Sequence, residues 1–201
     1  MFRFIIAKLK YPVILLSILM IVAACSDNKT VMKFDAIDVT GADFGKDFKL
    51  RDPAGRVRTL ADFRGKAVAI FFGYTHCPDV CPSTMSEMNQ AMQLLGKDAN
   101  RVQVLFVTVD PERDTPAVLA SYVPAFNPAF LGLYGSIAET AEVAKNFKIF
   151  YQKVKSKDGK SYSMDHSAGT YVFDPAGNLR LFMKYGVGAQ SIAHDLHILL
   201  N

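Results

Sequence analysis

The sequence is poor in the residues that carry most protein chemistry. It has three cysteines and four histidines among 201 residues, and it contains no internal repeat and no low-complexity tract. Without residues 1–24 the chain has 20 Lys and Arg against 19 Asp and Glu, so it lacks the basic surface that a nucleic-acid partner requires. Half of its residues are apolar, which suits one well-packed domain of this length.

The N-terminus lacks an apolar run long enough to cross a bilayer. Val13 to Ala24 spans twelve residues, whereas a membrane-spanning helix needs about 20. Arg3, Lys8 and Lys10 precede this run without any acidic residue. A basic segment followed by a short apolar one is typical of a secretory signal peptide.

The apolar run ends in Val22-Ala-Ala-Cys25, which resembles a bacterial lipobox. That resemblance implies cleavage before Cys25 and lipidation of its thiol. The alternative is an ordinary signal peptide or an uncleaved anchor, in which Cys25 has no role. We expect a lipoprotein signal peptide at 1–24, a lipidated tether at 25–40, and a domain at 41–201. The domain is then extracytoplasmic, on the periplasmic side, and anchored to a membrane through lipid.

The other two cysteines, Cys77 and Cys81, follow the strongest strand signal in the chain. Residues 67–72 hold no charge or turn former, which predicts a buried central strand, and we expect the chain to bend at Gly73. A helix is expected to begin at or just after Pro82, because the apolar residues beyond it recur with a helical period. At this strand-to-helix loop the helix dipole and free amides favour thiolates.

Further elements are predicted from periodicity and turn signals. An N-terminal β-hairpin is predicted at 44–60, with its turn at 52–55. Further strands are predicted at 102–109, 150–154, 169–174 and 179–185, and a short edge segment at 130–134. Helices are predicted at 116–126, 137–147 and 189–200. A dithiol on the first strand-helix loop, a βαβ unit, a hairpin and a final helix follow the order of a thioredoxin-like fold. The fold class is therefore α/β, with a central mixed β-sheet flanked by helices.

A third candidate ligand is His166, in the loop before a predicted strand. Ordinary thioredoxin-like proteins place a cis-proline there, facing the dithiol, and this chain has no proline between 129 and 174. Two thiolates and one imidazole suit copper in either Cu(I) or Cu(II) form. Zinc accepts the same donors but usually takes a fourth ligand, and a plain structural disulfide between Cys77 and Cys81 is the alternative without metal.

Three separated motifs resemble the Sco/SenC copper proteins, which assist assembly of the CuA centre of cytochrome c oxidase. They are Gly73-Tyr-Thr-His-Cys-Pro-Asp-Val-Cys-Pro82, Val109-Asp-Pro-Glu-Arg-Asp-Thr-Pro116 and Asp165-His-Ser167. The resemblance covers essentially residues 40–200. It implies a thioredoxin-like fold, a membrane tether, and copper ligation by Cys77, Cys81 and His166.

Other polar residues near these motifs receive weaker assignments. Asp79 is a candidate weak ligand to oxidised copper, and Asp110 and Asp114 either orient the site, meet a partner or cap a helix. His76 is expected to form hydrogen bonds or tune a thiol. Two further groups are assigned to structure instead, His194 and His197 to a helix face, and Met85, Met88 and Met92 to core packing.

Two functions follow from the dithiol and His166. The first is a metallochaperone that passes copper to the apo-CuA subunit of cytochrome c oxidase or to another copper acceptor, without making or breaking a substrate bond. The second is a thiol-disulfide oxidoreductase that keeps the acceptor cysteines reduced through a redox-active Cys77–Cys81 disulfide and depends on a thiol reductant. A peroxidase-like redox sensor would need a Thr/Arg pocket around a reactive thiolate, and we identify none.

Overall fold

The structure is a computed structural model that describes residues 33–201. The predicted signal peptide, the lipidation site Cys25 and the first part of the predicted tether lie outside the described residues. Within 33–201, no helix is both long enough and apolar enough to cross a bilayer.

Ten strands and four α-helices are described. The strands are β1 (Ile37–Asp38), β2 (Leu50–Arg51), β3 (Val57–Arg58), β4 (Ala67–Gly73), β5 (Val102–Thr108), β6 (Leu131–Leu133), β7 (Tyr151–Lys155), β8 (Tyr162–His166), β9 (Thr170–Phe173) and β10 (Leu179–Met183). The helices are α1 (Val80–Leu95), α2 (Pro116–Phe126), α3 (Ile137–Asn146) and α4 (Ala189–Leu200). Short 3-10 helices lie at Leu60–Phe63 and Gly96–Arg101.

A six-stranded sheet in the order β1-β10-β9-β4-β5-β6 forms the centre of the fold. β4 pairs in parallel with β5 and antiparallel with β9, which confirms the predicted mixed sheet. All seven residues of β4 are buried, as expected for an uninterrupted apolar strand with neighbours on both sides. β6 ends the sheet, so the predicted edge segment is confirmed as well.

The four helices lie where the sequence predicts them, apart from the first residues of α1. That helix begins at Val80, so a start at or after Pro82 is wrong. Pro82 is its third residue, where the backbone amide would have no intrahelical acceptor in any case. α1 packs against α4 with Met85, Met88 and Ala91 buried, and α2 packs against β6.

Two small hairpins stand apart from the central sheet. The predicted N-terminal hairpin is confirmed as β2 and β3, which are much shorter than expected. Its turn residue Asp52 is fully buried and accepts hydrogen bonds from the Nε atoms of Arg56 and Arg58, both at 2.9 Å. The second hairpin pairs β7 with β8, and only its first strand is predicted from the sequence.

The structured domain begins before residue 41. β1 pairs with β10 and forms one edge of the central sheet, and the buried carboxylate of Asp195 in α4 accepts the amides of Asp35 and Ala36 at 2.9 and 2.8 Å. Residues 34–40 are therefore part of the domain and not of a free tether. Their partners are about 150 residues away in the chain, so local composition does not reveal them.

Candidate metal centre

Cys77 and Cys81 lie at the junction between β4 and α1, as predicted. Cys81 is fully buried in the first turn of α1, whereas Cys77 is half-buried on the preceding loop. The backbone amide of Cys81 donates to Sγ of Cys77 at 3.5 Å. The first turn of the helix thus holds the more accessible sulfur close to the buried cysteine, and both are free thiols.

Gly73 makes room for the buried sulfur. The chain does not bend there, because Gly73 is still the last residue of β4. A Cβ atom at this position would lie 2.9 Å from Sγ of Cys81 and 2.8 Å from the Phe71 ring, closer than non-bonded atoms approach. Glycine is therefore required for close packing at the thiol, and the expected bend is wrong.

The electrostatics of Cys81 also differ from the prediction. Burial raises the pKa of the Cys81 thiol well above its ordinary value, because a thiolate loses its hydration in an apolar environment. The expectation that the helix terminus favours a thiolate is thus wrong for Cys81. A metal ion would supply the positive charge that the buried thiolate lacks.

His166 reaches the thiols from the end of β8 and not from the loop predicted from the sequence. Its Nε2 atom lies 3.5 Å from Sγ of Cys81, and its Nδ1 atom lies 2.9 Å from the carbonyl oxygen of Ser167. A carbonyl can only accept, so Nδ1 carries the hydrogen and Nε2 presents a lone pair toward the sulfur. Burial lowers the pKa of His166, which also favours the neutral, metal-binding imidazole.

The two sulfurs and the imidazole form one compact donor cluster. The three ligand atoms lie within 4.8 Å of one another. Donors that share one zinc ion at bond lengths of roughly 2.0–2.3 Å lie about 3.5–4 Å apart, and the distance from Cys81 to His166 is within that range. In chemistry and in spacing, the residues present therefore fit a soft metal ion such as copper.

The loop after β5 holds both sides of this cluster. Asp114 is buried and accepts the amide of Thr75 at 3.0 Å and the hydroxyls of Thr75 and Thr108 at 2.6 Å. Thr75 lies two residues before Cys77, so Asp114 fixes the thiol loop. Thr115, and not Asp114, caps α2 by accepting the amide of Val118.

Asp110 and Arg113 hold the strand that carries the imidazole, and Arg113 is not among the candidates predicted from the sequence. The buried carboxylate of Asp110 pairs with Nε of Arg113 and accepts the hydroxyl of Tyr162 at 3.0 Å. Arg113 donates to the carbonyl oxygen of Tyr162 at 2.9 Å and stacks 3.6 Å from the centre of that ring. Because Tyr162 begins β8 and His166 ends it, Arg113 ties the strand that carries the imidazole to the domain. Its position within the 109–116 motif is the sequence feature that could have identified Arg113.

Tyr74 and Phe71 complete the surroundings of His166. Both rings meet the imidazole edge-on, with centroids 5.8 and 6.2 Å away. The Arg113 guanidinium lies 5.7 Å from the Tyr74 ring. The imidazole is thus held by aromatic packing as well as by its hydrogen bond to Ser167.

The remaining candidates lie outside the donor cluster. Asp79 is exposed at the start of α1 and accepts the Ser83 hydroxyl at 3.2 Å. His76 is exposed beside Thr75. As predicted, His194 and His197 are on the exposed face of α4, and Met85, Met88 and Met92 are buried in the core.

Sequence comparisons match most of the described chain to known proteins. Residues 38–201 match the family SCO1/SenC. The chain is 43% identical over 147 residues to the mitochondrial protein SCO2 homolog of Bos taurus, covering 72% of this chain and 54% of that protein. The chain thus spans about half the length of this curated relative.

Solved structures show the same fold. The copper-bound structure of Bradyrhizobium japonicum ScoI has 41% sequence identity and a TM-score of 0.71, covering 78% of this chain and 99% of that one. Apo Sco1 from Thermus thermophilus has 39% identity and a TM-score of 0.75, covering 85% of this chain and 99% of that one. The expected thioredoxin-like α/β fold is confirmed by these structures.

Proposed function

The chain belongs to the SCO1/SenC family, and we propose that it is a copper chaperone that binds one copper ion through Cys77, Cys81 and His166. The observation that carries the proposal is the approach of Nε2 of His166 to Sγ of Cys81 at 3.5 Å, with all three ligand atoms within 4.8 Å. The copper-bound Bradyrhizobium japonicum relative supports the choice of metal.

The donor set accounts for both binding and release. Two sulfurs satisfy Cu(I), and the imidazole adds a donor that Cu(II) also accepts. Cys77 is half-buried and therefore within reach of an incoming ligand, whereas Cys81 is enclosed. Copper leaves when acceptor ligands replace these donors one after another, and no bond in a substrate is made or broken.

We further propose that the acceptor is the apo-CuA subunit of cytochrome c oxidase, as the family resemblance implies. The N-terminal sequence supports an extracytoplasmic domain, tethered to a membrane by lipid on Cys25. A tether of this kind would keep the domain beside membrane-bound acceptors on the same face of the bilayer.

A second candidate function is thiol-disulfide exchange with the acceptor, and the unequal burial of the two thiols favours it. The Cys77 thiolate would attack an acceptor disulfide and release one acceptor thiol. Cys81 would then attack Cys77, which releases the second acceptor thiol and leaves a Cys77–Cys81 disulfide. A thiol reductant must reopen that disulfide before the next cycle.

A Cu(I) competition titration separates the two functions. Reduced protein comprising residues 26–201 is compared with His166→Ala, with the double variant Cys77→Ala/Cys81→Ala, and with the exposed-histidine control His197→Ala. We expect one tightly bound copper, weaker binding in His166→Ala, none in the double variant, and no change in the control. Weak binding that is unaffected by His166→Ala, together with retained disulfide reduction, would replace the chaperone by the oxidoreductase.

A further inference from the structure

Tyr122, in helix α2, packs one aromatic ring away from the buried thiol. Its ring contacts that of Phe106, with centroids 5.7 Å apart. A Cβ atom at Gly73 would lie 3.0 Å from the Phe106 ring and 2.9 Å from Sγ of Cys81. Phe106 and the buried sulfur are therefore near neighbours, and Tyr122 lies against the far side of the Phe106 contact.

The hydroxyl of Tyr122 is buried and unpaired. Its oxygen is inaccessible to solvent and has no hydrogen-bond partner among residues 33–201. An unpaired buried hydroxyl costs free energy, so each such group in a folded protein calls for an explanation. Packing against Phe106 does not explain it, because phenylalanine would supply the same ring without the polar atom.

The charges that act on the phenol show which groups it faces. Burial raises the pKa of Tyr122, and negative charge on Cys81, Cys77 and Asp114 raises it further, with Cys81 contributing the most of the three. The two cysteines carry this charge only as thiolates, which is the form that binds a metal. The hydroxyl of Tyr122 is therefore within electrostatic reach of the donor cluster.

Metal binding gives the Cys81 sulfur a need for hydrogen-bond donors. A neutral thiol accepts weakly, whereas charge-assisted hydrogen bonds are roughly twice as strong as neutral ones. Burial disfavours the Cys81 thiolate, as do the negative charges of Cys77 and Asp114, and a hydrogen bond from the backbone of Tyr74 favours it. Tyr122 holds a further donor nearby that has no other partner in the described part of the chain.

We propose that Tyr122 is a positioning residue for the metal centre, whose hydroxyl donates a hydrogen bond to the Cys81 thiolate in the metal-bound state. The proposal rests on the proposed copper function and deepens it. The hydroxyl is unpaired while Cys81 is a thiol and gains an acceptor when the metal displaces the thiol proton. Its cost in the metal-free protein thus becomes a stabilisation of the bound metal.

The test compares Tyr122→Phe with a matched control, Tyr171→Phe. The first variant removes the hydroxyl and keeps the ring that packs on Phe106. Tyr171 is also buried and packs against Phe147 with centroids 5.8 Å apart, but burial alone raises its pKa. Reduced protein comprising residues 26–201 is titrated with Cu(I) against a competing chelator, and urea unfolding measures the stability of each metal-free form.

We expect Tyr122→Phe to bind Cu(I) about tenfold more weakly than the parent protein. Its metal-free form should be at least as stable as the parent, because an unpaired hydroxyl has been removed. The control should keep the parent copper affinity. Unchanged affinity in Tyr122→Phe, an equal loss in the control, or a loss of metal-free stability in Tyr122→Phe would overturn the proposal.

A spectroscopic measurement separates a hydrogen bond to sulfur from a packing effect. In the Cu(II) form of Tyr122→Phe, the sulfur-to-copper absorption band should move to longer wavelength. The reason is that a thiolate without its hydrogen bond gives up an electron more easily. The band of Tyr171→Phe should stay at the parent position, and a Tyr122→Phe band at that same position would also count against the proposal.

Zinc distinguishes failure of this proposal from failure of the copper function. Zn²⁺ takes thiolate and imidazole ligands, so its affinity reports on the donor cluster without copper. Weaker zinc binding in Tyr122→Phe, in a protein that does not bind copper tightly, would uphold the role of Tyr122 and refute the copper chaperone. Tight copper binding through Cys77, Cys81 and His166, with neither metal affected by Tyr122→Phe, would overturn the role of Tyr122 alone.

Discussion

The two sides of the donor cluster are built in different ways. The thiols lie between a fully buried strand, β4, and a helix packed into the core. The imidazole lies at the end of a two-stranded hairpin in which Met164 is the only buried strand residue. Core packing therefore positions the sulfurs, whereas a small set of polar and aromatic contacts positions His166.

This difference predicts that the two sides can be disturbed separately. Changes beneath the thiols should affect stability and copper affinity together, because the sulfurs are part of the core. Changes around the hairpin should alter the nitrogen donor while the two sulfurs remain in place.

The largest expected effect comes from Arg113→Ala. Asp110 would lose its cation while buried, which should lower the free energy of unfolding by about 3 kcal/mol, the lower end for a broken buried pair, since Tyr162 still donates to it. The hairpin would also lose its hydrogen bond and stacking partner. Urea unfolding of the metal-free protein measures the loss of stability. The loss of the hairpin contacts should shift the sulfur-to-copper absorption band of the Cu(II) form, because His166 is carried by that hairpin.

Arg58→Ala is the matched control for Arg113→Ala. It also removes a partner of a buried carboxylate, Asp52, but on the N-terminal hairpin. Stability should fall while the copper absorption stays unchanged. An identical spectral change in both variants would contradict the special role of Arg113.

Gly73→Ala should have the next largest effect, on the thiol side. The new methyl group would clash with Sγ of Cys81 and with Phe71, at a cost of about 1–3 kcal/mol in unfolding free energy. Cu(I) affinity should fall with it, because the buried sulfur must move. Gly132→Ala in β6, where the nearest side-chain atoms lie at 3.2 Å, should be milder and leave copper affinity intact.

In the metal-free protein, the pH dependence of the free energy of unfolding should reveal the burial of both His166 and Cys81. Burial lowers the pKa of His166 from 6.5, so its contribution is present above about pH 6.5 and is lost as the pH falls through the lower folded-state value. Burial raises the pKa of Cys81 from 9.0, so that contribution is present below about pH 9 and is lost above it.

Urea unfolding between pH 5 and 10 tests these signs. His166→Gln should reduce the loss of unfolding free energy at acid pH without changing the alkaline part of the profile. Cys81→Ala should reduce the loss at alkaline pH without changing the acid part. A His166→Gln profile as steep on the acid side as that of the parent would contradict the burial of the imidazole.

The smallest expected effect is that of Asp79→Ala. Its side chain lies outside the donor cluster and makes no capping bond to α1, so stability should change by less than about 0.5 kcal/mol and copper affinity by less than twofold. Thr115→Ala removes a true cap on α2 and should cost about 1 kcal/mol. A large loss of Cu(II) binding in Asp79→Ala would restore it as a ligand.

The thiol side was the more predictable from sequence. The apolar run at 67–72 and the helical methionines are strong local signals, and they place Cys77 and Cys81 at a strand-to-helix junction. The start of α1, the role of Gly73 and the raised pKa of Cys81 were mispredicted, because each depends on how closely the helix packs over the strand. Spacing along the chain does not record that packing.

The imidazole side was less predictable. β8 is polar and mostly exposed, so no alternation reveals it, and His166 could be singled out only through the order of a thioredoxin-like fold and the family motifs. Arg113 acts across 49 residues on Tyr162, and Asp195 acts across about 160 on the N-terminal segment. Such contacts exist only after the chain has folded.

The central claim is that two core thiols and one hairpin imidazole hold the same copper ion. X-ray absorption fine structure of the Cu(I)-loaded protein tests it most directly, with His166→Ala measured alongside. We predict two sulfur neighbours and one nitrogen neighbour in the parent protein, and two sulfurs without that nitrogen in the variant. A copper bound by sulfur alone in the parent, or a spectrum unchanged by His166→Ala, would contradict the claim.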